Sequence, residues 1–143
     1  MNETDEHVML TLEQLAGYAG QLARSAPGIR AVAVLSTDGI LLASSGLSRD
    51  EAELLAATSS GLVSLAFSGS VHFDMKDTTH VLVAYSGGRL AVCAVNDRCV
   101  LAVLTWPGSQ ADTVLYEMAR FAEAHGDVIS PHVRPTLTVA AQP

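Results

Sequence analysis

Apolar residues return at three- and four-residue steps through Leu12, Leu15, Ala19, Leu22 and Ala26, a pattern that predicts a helix over 11–25. Pro27 disfavours helical backbone at the residue before it and Gly28 eases the exit, so this helix stops there. The period then shortens. Residues 31–36 and 40–44 are β-prone, and Thr37-Asp38-Gly39 between them supplies the positive φ that tight hairpins need. Ser48-Arg49-Asp50-Glu51 places Ser at an N-cap with Glu three residues on, the reciprocal capping box, and opens a second helix over about 51–67. Its middle, Thr58-Ser59-Ser60-Gly61, is poor helix-forming material. Small residues there point to close packing, either on the chain's own sheet or on a second copy of the helix.

Residues 69–77 are ambiguous by pattern, a loop with room for a short strand at Val71-His72-Phe73. Three apolar runs follow at 79–86, 90–95 and 99–106. Gly87-Gly88, Asn96-Asp97 and Pro107-Gly108 end them in turn, which predicts a three-strand antiparallel meander. The second and third runs are apolar at nearly every position, so both faces of the sheet must be covered. Ser109 is the expected cap of a last helix, supported by Asp112, with Ala111, Leu115, Met118 and Ala122 as its buried stripe and Gly126 as its end.

The element order is therefore α-β-β-α-β-β-β-α. Three helices on one five-stranded antiparallel sheet make an α+β, three-layer sandwich. The central helix lies on one face and the two terminal helices on the other. Residues 1–8 read as a flexible acidic lead, 9–126 as the domain, and 127–143, with Pro131, Pro135 and Pro143, as a loosely ordered tail.

With 143 residues and 49% apolar composition, the chain has core material for one domain. The formal charge of −7 comes from 15 acids against 8 bases, of which only Lys76 is lysine, and no basic stripe forms. Nucleic acid and anionic membrane surfaces are thus poor partners. The acidic amino terminus lacks the positive charge of a secretory signal, and apolar runs such as 99–104 are too short to cross a bilayer. A cytoplasmic protein with no membrane insertion is expected.

Cys93 and Cys99 flank the Asn96-Asp97 turn. With a two-residue turn they point to opposite faces; slipped by one residue they share a face but stand diagonal. Neither register brings the Cβ atoms into easy bonding range, so both read as buried small hydrophobes.

Reactive chemistry is hard to assemble. There is no Walker-type Gly-x-x-x-x-Gly-Lys, no Gly-x-Gly-x-x-Gly and no Gly-x-Ser-x-Gly. His72, Asp74 and His80 are the nearest approach to a metal set, and they read better as exposed loop and edge polars. No catalytic residue, cofactor or metal ligand is expected, and the chain reads as non-enzymatic.

The run Pro27-Gly28-Ile29-Arg30-Ala31-Val32-Ala33-Val34-Leu35-Ser36-Thr37-Asp38-Gly39-Ile40-Leu41-Leu42-Ala43 resembles the opening of a roadblock/dynein-light-chain domain. Cys99-Val100-Leu101-Ala102-Val103-Leu104 resembles the family's last strand, and Tyr116-Glu117-Met118-Ala119 its last helix. The likeness covers about residues 9–125. More narrowly, it is similar to bacterial members, especially actinobacterial ones, encoded with a sensor-kinase-like protein and a small Ras-like GTPase. The resemblance implies a homodimer in which central helices pair and the two sheets join along an edge. It also implies binding to a small Ras-like GTPase, with a role as scaffold for a sensor histidine kinase as the alternative. Leu55, Thr58, Ser59, Gly61, Leu62 and Leu65 would form the helix seam, and His80 and Leu82 the joining edge. No residue is assigned to the GTPase contact.

Overall fold

The structure is a computed structural model that describes residues 11–131. The lead expected over 1–8 and the expected tail from residue 132 onward lie outside the described residues. Thr11 caps helix α1 (Leu12–Ser25), its hydroxyl accepting from Gln14 N while Gln14 Oε1 accepts from Thr11 N, each at 3.0 Å. Ala26 is extended, as a residue before proline prefers, and the chain enters β1 (Ile29–Ser36) and β2 (Leu41–Ser45). Helix α2 (Arg49–His72) follows, then β3 (Val81–Tyr85), β4 (Gly88–Ala94), β5 (Cys99–Thr105) and α3 (Ala111–His125).

All pairings are antiparallel and the sheet order is β2-β1-β5-β4-β3. Because successive residues of a strand point to opposite faces, the apolar runs divide into two cores. Val32, Val34, Leu101 and Val103 pack with Leu15, Leu22, Met118 and Phe121 of α1 and α3. Ala33, Leu35, Val100 and Ala102 pack with Leu55 and Ala56 of α2. Tyr18 of α1 stacks on His125 of α3 with ring centroids 3.9 Å apart, closing the two-helix layer. The three-layer sandwich expected from the pattern is the fold observed.

Local details differ from the expectations. Helix α2 continues to His72, so Val71 and His72 are helical and Phe73 is its C-cap rather than parts of a strand. Phe73 N donates to the Gly69 carbonyl at 3.0 Å, and the sheet order leaves no strand to pair there. Ser109 does not cap α3. Its carbonyl accepts from Arg89 Nη1 at 3.0 Å, its hydroxyl is buried without a partner, and Gln110 is the N-cap with no side-chain bond. The buried stripe of α3 is Val114, Met118 and Phe121 rather than one running through Ala111 and Ala122. Packing of α3 against the sheet and α1 turns these three larger side chains inward.

The β3–β4 turn is Ser86-Gly87, and Gly88 opens β4 opposite Tyr85. Gly88 has φ +143, and a Cβ there would run into the Thr105 carbonyl of the neighbouring strand, so only glycine fits. The β4–β5 turn takes three residues, Asn96-Asp97-Arg98, with Val95 N donating to Cys99 O at 2.9 Å. In that register Cys93 opposes Leu101, so Cys93 and Cys99 share a face diagonally as two free thiols.

Candidate interaction face

Helix α2 begins on a firm cap. Ser48 N donates to Glu51 Oε1 at 3.0 Å and Glu51 N donates to Ser48 Oγ at 3.2 Å. These bonds to Ser48 hold the Glu51 carboxyl below its usual range, and Arg30 nearby adds to the effect. One turn on, Arg49 pairs with Glu53 at 3.4 Å in the open. Beyond Glu53 the helix has no Asp, Glu, Lys or Arg through residue 72.

Only one side of that stretch faces the sheet. Ala52, Leu55, Ala56 and Ser59 are buried. Leu54 and Leu65, 69% and 72% exposed, share one flank of the helix, and Phe67 and Val71, 65% and 63% exposed, lie on the opposite flank, about 200° round the helix from Leu65 to Phe67. At 24 residues α2 is long and apolar enough to cross a membrane by length and composition, yet it lies along the sheet. Exposed apolar side chains on an uncharged helix are commonly found at interaction surfaces.

The seam residues expected from the sequence fall into two sets. Thr58, Gly61 and Leu65 are exposed, and a Cβ at Gly61 would meet nothing within 4 Å. Leu55 and Ser59 turn to the sheet, and Leu62 is half-buried against the same core. Ser59 Oγ is buried with no hydrogen-bond partner. The neighbouring Ser60 donates to Thr37 O at 3.0 Å, tying α2 to the first hairpin. Strand β3 is one of the sheet's two edges, the other being β2, and is bonded to β4 alone. His80, just before it, is exposed, and Leu82 within it is 42% exposed. His80 lines a pocket with Met118 and Ala122, and Leu82 stands opposite Ala91 of the α1–α3 core, so both turn away from α2, while Val81 and Val83 carry β3 against α2.

Between α2 and β3 runs an open groove of about 410 Å³. Leu54 and Leu55 of α2 form one wall, Leu90 and Leu104 line it from the sheet, and Tyr85 lies at the end of β3. Arg30, Arg89 and Glu51 supply its charges. Arg30 also stacks over Trp106, its guanidinium carbon 4.9 Å from the ring centre.

The Roadblock/LC7 domain model matches residues 19–105, from the middle of α1 to the end of β5. The chain belongs to the Roadblock/LC7 family. Among solved structures it is similar to the Roadblock/LC7 domain from Streptomyces avermitilis, 31% identical with a TM-score of 0.74 over 76% of this chain and 92% of that one. MglB of Myxococcus xanthus shares 16% identity at a TM-score of 0.70, covering 78% of this chain and 84% of its own. The gliding protein MglB from Thermus thermophilus shares 13% at 0.72, over 82% and 89%. These last two show likeness of fold. A comparison with curated proteins gave no match.

In this Roadblock/LC7 chain His72 ends α2, Asp74 lies in the following loop and His80 precedes β3. No group of three His, Cys, Asp or Glu side chains suited to a metal ion occurs among the described residues. Leu54, Phe67 and Tyr85, all large and exposed, were not singled out from the sequence. The charge-free stretch after Glu53 was the signal available for Leu54 and Phe67, and none marked Tyr85.

Proposed function

We propose that this chain is a non-catalytic cytoplasmic regulator that pairs with a second copy through α2 and β3 and docks, as a dimer, onto a small Ras-like GTPase. The observation that carries the pairing is the uncharged outer face of α2 lying beside the bare edge of β3. Each exposed Leu or Phe of α2 gains about 1.5–3 kcal/mol on full burial, the scale needed to offset the cost of association. A bare edge strand likewise gains by pairing its free amides and carbonyls with an identical strand. Thr58, Gly61 and Leu65 meet across the seam in this reading, Leu55, Ser59 and Leu62 support it from beneath, and His80 and Leu82 flank the edge. Membership of the Roadblock/LC7 family supports the GTPase as the dimer's partner.

Light scattering on the purified chain tests the pairing. The expected mass is that of a dimer, and Leu65→Asp, at a site open to solvent, converts it to a folded monomer. The GTPase encoded beside it is then expected to co-elute with the wild-type dimer in at least one nucleotide state. A monomeric wild type overturns the pairing. Absence of a complex with GDP, GTP and a transition-state mimic overturns the GTPase reading, and capture of a kinase segment instead assigns the scaffold role.

A further inference from the structure

The groove beside α2 is half-built, and the segment that joins α2 to β3 carries chemistry that matches it. Residues 71–80 are exposed without interruption, and Phe73 and Met75 are 77% and 71% exposed. Two large apolar side chains that alternate with Asp74, Lys76 and Asp77 have no contact in the protomer's own core clusters. The groove opposite in character is lined by leucines, with Arg30 and Arg89 against the single carboxylate of Glu51. Its charge is net positive, and that of 73–77 is net negative.

We propose that residues 73–77 of one copy pack into the α2–β3 groove of the other, so that each groove is completed by its partner. This rests on the pairing through α2 and β3 and deepens it. Strand β3 has five residues, so a two-fold antiparallel pairing centres on Val83 and sets Val81 opposite the partner's Tyr85. Residues 73–77 lie only a few positions before Val81, and Tyr85 lines the groove, so the segment leaves one sheet edge at the partner's groove. Phe73 and Met75 then meet the leucines, and Asp74 and Asp77 meet the guanidinium groups of Arg30 and Arg89. By symmetry the exchange happens twice in each dimer.

Cross-linking reads the geometry directly. Met75→Cys chains are mixed with Leu54→Cys chains and treated with a short bismaleimide; both sites are exposed, so both variants are expected to fold. Cys99 is buried and Cys93 partly so, and wild-type chains treated alongside give the background from the native thiols. Covalent dimers are expected in the mixture and at most weakly from either variant alone. Leu54 and the end of α2 at His72 lie about 27 Å apart along the helix, beyond a short linker's reach within one chain. In parallel, Phe73→Ser/Met75→Ser is expected to raise the dimer dissociation constant at least tenfold, and Asp74→Lys/Asp77→Lys severalfold, with secondary structure unchanged by circular dichroism. A wild type that dimerises, with no mixed cross-link and unchanged dissociation constants in both variants, overturns the exchange while leaving the pairing intact. Cross-linking of Leu54→Cys to itself in preference to Met75→Cys overturns it too. A wild type that stays monomeric overturns both, and co-sedimentation of that monomer with phosphatidylcholine vesicles assigns the face to lipid.

Discussion

Cys93 and Cys99 show how a single residue's environment follows from register. The three-residue Asn96-Asp97-Arg98 turn puts both sulfurs on the side of the sheet that α1 and α3 cover, Cys99 in the core cluster and Cys93 packed against it. Burial pushes each thiol up to about 11 from an ordinary 9.0. The folded chain therefore holds these protons more tightly than the unfolded chain. The sign follows: stability is complete below pH 9.0, and it declines as pH rises toward about 11, where the unfolded thiols are already ionised. The expected loss is on the order of 2 kcal/mol per thiol, measured by urea titration at a series of alkaline pH values. Replacing both by Ser or Ala is expected to flatten that dependence. The burial of Cys99 was legible in the apolar run around it, Cys93 is only half-buried, and the shared face was left open until the turn length was known.

At the scale of elements, helix α2 joins a strong start to a weak middle. The Ser48–Glu51 box was readable as four consecutive residues, because both of its hydrogen bonds are local. Ser48→Ala is expected to destabilise the chain by about 1 kcal/mol, seen as a lower urea midpoint with unchanged slope. The weak middle has two explanations that the sequence could not separate. Ser59 is small because it lies buried against the sheet, and Ser60 because the Gly39 turn packs on it, where a Cβ on Gly39 would come within 3.3 Å of Ser60 Cβ. Gly61 and Thr58 answer to neither, since both face outward. The end of α2 was misread because Val71 and Phe73 are as β-prone as they are apolar, and local preference yields to the hydrogen bonds already running along a helix.

For the molecule as a whole, Asn96 links parts of the chain far apart in sequence. Its side-chain carbonyl accepts from Arg98 N and Cys99 N, each at 2.9 Å, fixing the β4–β5 turn. Its amide donates at 2.8 Å to both Gly126 O and Ile129 O, beyond the end of α3. Ile129 is only 4% exposed and belongs to the α1–α3 core, so the packed chain runs past Gly126. Asn96→Ala leaves two part-buried carbonyls unpaired and is expected to cost about 2–3 kcal/mol. Limited proteolysis is expected to cut the variant after α3 first, because the clamp and Ile129 are released together. The same long-range logic sets the sheet, in which β1 pairs with β5 along its length although some 60 residues separate them.

What the sequence determined alone was everything that depends on neighbours along the chain. The order of elements, the first cap of α2, the Asp38-Gly39 turn and the need to cover both faces of the sheet all follow from local period and turn chemistry. What only the tertiary structure decided was phase and side. Those include which face of α3 turns inward, which carbonyl Arg89 takes from Ser109, and which of the small residues in α2 serve the chain itself. The reason is physical: a helix rotated by one residue satisfies the same backbone hydrogen bonds, so packing against distant strands, and not local preference, chooses among the rotations.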